Sequence, residues 1–278
     1  MQTKHTPSNR FVAELKSSDH PEPRFNLADY AVLMKPRVMS LVVFTALVGL
    51  LLAPGSIDPW TATAAIVFIA LGAGAAGAIN MWYDRDIDLQ MSRTMNRPLP
   101  AGRMHPGPAL AFGIIMAFAA VLSMAYYVNL MSAALLLVTI LYYVFVYTVW
   151  LKRLTPQNVV IGGVSGALPP VVGWASVTGN IDSGALSLFL IIFLWTPPHS
   201  WALALYRRGD YEAAGVPMLP VAAGVQATKR QMTYYTALLL PVTLIPVAIG
   251  LSGMVYAVVA LIFAFGFAFY SRRLWYAP

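Results

Sequence analysis

An all-α bundle of membrane-spanning helices is the fold class that three observations predict. The 278-residue chain is 59% hydrophobic and only 10% charged, with a mean hydropathy of +0.67. Its apolar residues are gathered into eight long stretches. When those stretches are threaded back and forth, every Lys and Arg falls on one side. The composition lies far from that of a soluble domain. Without water to satisfy the backbone, helices are the default, and the alternation of a lipid-facing barrel is absent.

The eight stretches are residues 38–53, 60–82, 108–128, 130–150, 159–177, 184–205, 232–251 and 254–270. Several approach the ~20 residues needed to cross a hydrocarbon layer of ~30 Å. The first and last are shorter and need interfacial residues at their ends or a thinner local bilayer. Residues 1–30 are polar, lack an apolar signal-peptide core and read as a cytosolic tail, leaving 31–278 as one transmembrane domain. Glu14, Asp19 and Glu22 argue against a mitochondrial transit peptide.

Charge supports this division. The N-terminus, the 2–3, 4–5 and 6–7 loops and the C-terminus together hold all 18 Lys and Arg, while the opposite loops have none. The positive-inside rule makes the charged side cytoplasmic, as expected of a bacterial inner-membrane protein. The pI near 9.7 therefore reflects juxtamembrane anchors rather than nucleic-acid binding. With no cysteine, disulfides, thiolate nucleophiles and Cys-based metal sites are excluded.

Two loops on the charged side stand out, 83–107 and 206–231, holding Asp84, Asp86, Asp88, Asp210 and Glu212 between them. Helices five and six are expected to be interrupted, at Pro169–Pro170 and at Pro197–Pro198 beside His199. Gly162, Gly166, Gly72 and Gly77 read as close helix packing. Pro197–Pro198–His199 reads equally well as packing or as a cavity wall where His199 meets a polar partner.

The most informative pattern begins at Asn80. In N-M-W-Y-D-R-D-I-D, the polar residues Asn80, Asp84 and Asp88 recur every four residues where an apolar run ends. On a helix they share one face, whereas Asp86 points elsewhere. Two carboxylates and an amide at a membrane boundary can hold Mg²⁺, which takes one or two carboxylates together with waters and phosphates. Arg93, Arg97 and Arg103 follow, in a loop stiffened by Pro98, Pro100 and Gly102; arginines there can clamp diphosphate oxygens. Mutually neutralising interfacial ion pairs are the plainer explanation for a single Asp–Arg pair. A stripe followed by three arginines, with Asp210 after another even-numbered helix, favours two acidic anchors around one diphosphate. A charged head with a lipid-soluble tail suits such a position, and an allylic cation released there needs water excluded and aromatic faces nearby. Tyr143 and Tyr147 are among the aromatics available.

The spacing N-x-x-x-D-x-x-x-D after a transmembrane helix resembles the first aspartate-rich motif of the intramembrane aromatic prenyltransferases. K-P-R-V at 35–38, R-T-x-x-R-P-L-P at 93–100, the run 155–174 ending A-L-P-P-V-V-G-W, W-T-P-P-H-S-W at 195–201 and D-Y-E-A-A-G-V-P-M-L-P at 210–220 narrow the likeness to the protohaem IX farnesyltransferase family. That resemblance implies helices around a cavity open sideways to lipid, and transfer of farnesyl from farnesyl diphosphate to a vinyl group of haem b. It implies Asn80, Asp84, Asp88 and Asp210 as Mg²⁺–diphosphate ligands. Arg93, Arg97, Arg103 and Lys152 become candidates for diphosphate or haem propionates, with Lys35 and Arg37 as weaker ones and His199 as a haem contact or proton carrier. A downstream haem-modifying enzyme or a terminal oxidase assembly are candidate recipients of the product. Two features depart from the family: the second acidic motif is reduced to Arg207-Arg208-Gly209-Asp210, and eight helices are legible where the family has nine. Another aromatic acceptor, or a secondary transporter using broken helices and acids as an ion path, are the competing functions; transporter sites usually lie nearer the midplane.

Overall fold

The computed structural model describes residues 26–276, which are helical throughout apart from turns and connecting loops. The N-terminal basic residues Lys4, Arg10, Lys16 and Arg24 lie outside the described residues. Among the described residues seven helices are long and apolar enough to cross a membrane, and an eighth span arises if the pair α1 (Leu27–Leu33) and α2 (Pro36–Leu52) is counted as one. Seven of the eight expected spans are thus found outright, and the first, expected at 38–53, reaches spanning length only together with α1. The pair bends by 54° because Lys35 adopts a left-handed backbone (φ 53°) and Pro36, without an amide hydrogen, opens the next helix.

Spans α3 (Pro59–Tyr83), α5 (Pro106–Tyr127) and α6 (Leu130–Leu141) follow, with the short α4 (Arg85–Asp88) prolonging α3 after a break at Asp84. From Tyr142 to Leu151, α6 widens into a π-helix, here π1. The fifth span is broken as expected, into α7 (Asn158–Ala167) and α8 (Pro169–Thr178), with Pro169 starting the second half. The sixth is not: α9 (Ser183–Tyr206) runs unbroken through Pro197 and Pro198. Both prolines are buried against neighbouring helices, and the Thr196 hydroxyl donates to the Ile192 carbonyl at 2.7 Å within that turn.

The loop expected at 206–231 is largely helical. It contains α10 (Arg208–Ala213) and α11 (Leu219–Ala222), and the seventh span, α12 (Gly224–Val242), starts eight residues before the expected 232. Lys229 and Arg230 therefore sit in its opening turns, where polar residues hid the helix from a hydropathy reading. A single turn, α13 (Ile245–Ala248), precedes α14 (Met254–Tyr276).

Three of the spans, α3, α6 and α9, start on side-chain caps. Asp58 accepts from the amides of Trp60 and Thr61, Asn129 from Ser132, and Asp182 from Gly184 and Ala185. The bundle closes where α2 meets α8. A Cβ added to Gly49 would lie 2.0 Å from the Pro170 carbonyl oxygen, and one added to Gly173 would lie 2.0 Å from that of Ala46. Backbone thus packs on backbone at this crossing. α3 packs against α2 and α5, and the α7–α8 unit joins this half to α9, α12 and α14.

Candidate active site

The acidic stripe forms as the four-residue spacing requires, but it points inward. Asn80, Asp84 and Asp88 are 3%, 1% and 2% exposed. Buried carboxylates need counter-charges, and each has one. Asp84 Oδ2 pairs with the Lys152 ammonium, and Asp84 Oδ1 lies 3.6 Å from Arg153. Asp88 pairs with Arg97 at 2.7 Å. Asn80 is the hub. Its Oδ1 accepts from Lys35, and its Nδ2 donates to Asp84 Oδ2 at 2.8 Å and to Thr148 Oγ1 at 3.0 Å. The pairing with Thr148 depends on π1. There the Thr148 hydroxyl donates to the Tyr143 carbonyl five residues back, at 2.8 Å, a register an ordinary α-helix does not offer.

Lys35, Arg97, Lys152 and Arg153 therefore converge on two buried carboxylates and an amide. Such an excess of positive charge in a low-dielectric mouth attracts a polyanion. Asp86 points away from the stripe as expected and takes both terminal nitrogens of Arg153 at 2.7 Å. That hydrogen-bonded pairing holds the Asp86 carboxyl below its usual range and raises the Arg153 guanidinium.

Other predicted residues are placed differently. Arg103 is engaged with Asp29 of α1 at 3.1 Å and with the Asn96 carbonyl, so it braces the loop rather than the stripe. Arg93 is exposed and lies over the Tyr211 ring, 5.8 Å from its centroid. Asp210 accepts from Ser92 at 3.1 Å. Ser92–Asp210 and Arg93–Tyr211 thus fasten the first motif loop to the second, above an apolar cluster that includes Ile87, Met91, Val216 and Met218. Arg37 is exposed on the first turn of α2. His199 is exposed, stacks on Trp195 with ring centroids 5.3 Å apart, and does not line the cavity described below. α9 is not interrupted at its prolines, and His199 stays exposed beside Trp195.

Sequence reading missed Thr148, Arg153 as a partner of the stripe, Asp29 and Ser92. Thr148 had one usable signal: it precedes Lys152 by four residues, the spacing that places both on one helical face.

Beneath the mouth lies a cavity with about 730 Å³ of empty space, part of it open to the exterior. α2, α3, α6–π1 and α7–α8 wall it, and the lining is apolar except for Lys35 at the mouth and the hydroxyls of Thr139, Tyr143 and Ser165. Tyr143 pairs with Tyr147, their rings 5.4 Å apart. Gly166 and Val38 line the cavity and are exposed, which marks an opening between α7 and α2.

A charged mouth over an apolar, laterally open slot is the arrangement of an enzyme that handles amphiphilic diphosphates. The UbiA prenyltransferase family model matches residues 42–278. The chain belongs to the UbiA prenyltransferase family. Two relatives of this UbiA protein are named protoheme IX farnesyltransferase. One, from Brucella ovis, is 54% identical over 249 residues, 90% of this chain and 80% of the relative. The other, from Parvibaculum lavamentivorans, is 55% identical over 247 residues, 89% of this chain and 78% of the relative. Among solved structures, digeranylgeranylglyceryl phosphate synthase superimposes with a TM-score of 0.74 at 19% identity, covering 89% of this chain and 87% of that one. A UbiA homologue from Archaeoglobus fulgidus bound to DMAPP and Mg²⁺ gives 0.69 at 16% identity, covering 88% and 86%. At those identities the structures establish the fold, a polytopic membrane bundle.

The donor set fits the metal that a UbiA fold implies. Asp84 Oδ1 is buried without a hydrogen-bond donor, and hard carboxylate oxygens suit Mg²⁺ brought in with phosphate and water. Among the described residues no three acidic or histidine side chains gather closely enough to enclose an ion. The stripe could therefore supply only part of a coordination shell.

Proposed function

We propose that this UbiA prenyltransferase transfers the farnesyl group of farnesyl diphosphate to a vinyl group of haem b, giving haem O and diphosphate. The relatives' shared name supports the substrates. The observation that carries the chemistry is the buried Asn80–Asp84–Asp88 stripe, ringed by cations, at the mouth of an apolar cavity. The diphosphate sits at this mouth and the farnesyl tail runs into the cavity. Lys35, Arg97 and Lys152 meet the phosphate oxygens through charge-assisted hydrogen bonds, and Arg153 balances the stripe from the side. Asp84 and Asp88 from the first motif and Asp210 from the second would hold Mg²⁺ as separate anchors around the diphosphate, where the ion would neutralise charge growing on the leaving group.

The C1–O bond of the donor breaks and C1 bonds to the terminal vinyl carbon. Water then adds to the adjacent carbon, releasing a proton to the diphosphate. Apolar walls keep water from the allylic cation until the vinyl group reaches it. The Tyr143–Tyr147 pair offers ring faces beside the reacting carbon, a stabilisation of up to about 2 kcal/mol when desolvated. Haem b approaches through the opening at Gly166 and Val38.

Residues 31–278 act as one domain, in a bacterial inner membrane with the motif loops in the cytoplasm, as the one-sided distribution of Lys and Arg supports. A downstream haem-modifying enzyme or a terminal oxidase assembly takes the product. The decisive assay supplies membranes containing the protein with haem b, farnesyl diphosphate and Mg²⁺, and analyses pigments by mass. A haem carrying one farnesyl and one water is expected. Unmodified haem, with another aromatic acceptor prenylated instead, would refute the assignment.

A further inference from the structure

We infer that the walls and floor of the apolar cavity limit the donor to a tail of farnesyl length, with Ala73 and Gly166 setting its width and Val172 its depth. This rests on reading the cavity as the tail slot. Along α3 the lining residues below Asn80 are Gly77, Ala76, Ala73 and Gly72, and the next is Ile69. Small side chains line four positions, Gly72 packing against Leu136 and Gly77 against α1 while Ala73 and Ala76 present only a methyl, and a large one follows. Ile69 is eleven residues below Asn80, about 16 Å of helical rise.

The floor is completed from two other elements. Leu136 of α6 and Val172 of α8 line the same cavity and, like Ile69, are no more than 2% exposed. The break at Leu168 and Pro169 allows one span to contribute both Gly166 to the side wall and Val172 to the floor. Gly166 faces open space, since a Cβ built there would meet nothing within 4 Å and its backbone is helical. Ala73 faces the slot about 10 Å below Asn80 by the same rise. A leucine at either position occupies volume that the distal part of a farnesyl tail requires.

The test uses the purified full chain with Mg²⁺ and unreactive thiolo-diphosphate analogues of dimethylallyl, geranyl, farnesyl and geranylgeranyl donors, read by binding. Transfer of each true donor to haem b is measured in parallel. In the wild type, affinity rises with length up to farnesyl. Ala73→Leu and Gly166→Leu weaken the farnesyl analogue by about tenfold or more while keeping geranyl binding. Val172→Ala shifts the preference toward geranylgeranyl. Thermal melting of each variant serves as the folding control. Equal weakening of all four analogues in the leucine variants, or no change for farnesyl, overturns the inference. Should the analogues rank as expected while the wild type transfers no prenyl group to haem b, the reaction assignment fails and the length limit stands. Should no analogue bind more tightly than inorganic diphosphate, the tail slot and the inference fall together.

Discussion

Thr148→Val is the sharpest probe of the hub at Asn80. The substitution keeps the shape of the side chain but removes the oxygen that accepts from Asn80 Nδ2 at 3.0 Å. Asn80 is 3% exposed and Thr148 is fully buried, so water cannot replace the lost partner. A stranded buried donor costs about 1–3 kcal/mol. Part of that is lost stability. The remainder appears as misplacement, because an amide that swivels to satisfy Nδ2 withdraws Oδ1 from Lys35 and unsettles the cationic mouth. If half of it reaches the donor complex, kcat/KM for farnesyl diphosphate falls about two- to tenfold, at 1.4 kcal/mol per decade. The assay is steady-state transfer to haem b across donor concentrations, with thermal melting alongside. Thr148→Ser retains the hydroxyl and should recover most of the loss. A folded Thr148→Val enzyme with wild-type kcat/KM, or a Thr148→Ser enzyme as impaired as the valine variant, would refute the hub.

Further outcomes follow from the same geometry. Asp84→Asn and Asp88→Asn each remove a buried negative charge that balances Lys152 or Arg97 and, in the proposed reaction, would hold the metal, so transfer should fall by about 10²-fold or more. Chelating divalent ions with EDTA should abolish transfer by the wild type, with Mg²⁺ restoring it; a wild type indifferent to EDTA would contradict the assigned role of the stripe. Arg103→Ala and Asp29→Asn should raise the donor KM by similar modest factors, and the double variant should be no worse than either single one, because both release the same brace. Additive losses would instead place Arg103 on substrate. Gly173→Ala places a Cβ 2.0 Å from the Ala46 carbonyl oxygen, so α2 and α8 must separate; overpacking of this kind costs about 1–3 kcal/mol or more. A lower melting temperature or a loss of folded protein is the expected readout.

Chain order and hydropathy were enough for the membrane class, the break at Pro169–Pro170 and the shared face of Asn80, Asp84 and Asp88. These depend on local periods: apolar runs long enough to span, proline's missing donor, and a four-residue repeat that any helix turns into one face. The start of α12 escaped because Lys229 and Arg230 lower the hydropathy of a segment that is nonetheless helical. The continuity of α9 through Pro197 and Pro198 escaped because the context of those prolines is supplied by packing.

Tertiary structure alone decided how the site is wired. Asn80 meets Thr148 across 68 residues, Arg103 meets Asp29 across 74, and Ser92 meets Asp210 across 118. A residue type announces that it needs a partner, but it does not say which one. Asp84 and Asp88 in a dry mouth had to be paired, and the sequence offered a surplus of arginines and lysines for the purpose. Which cation reached each carboxylate was settled by the register of π1, the bend at Lys35 and the closure of α2 on α8, and none of these has a local period to read.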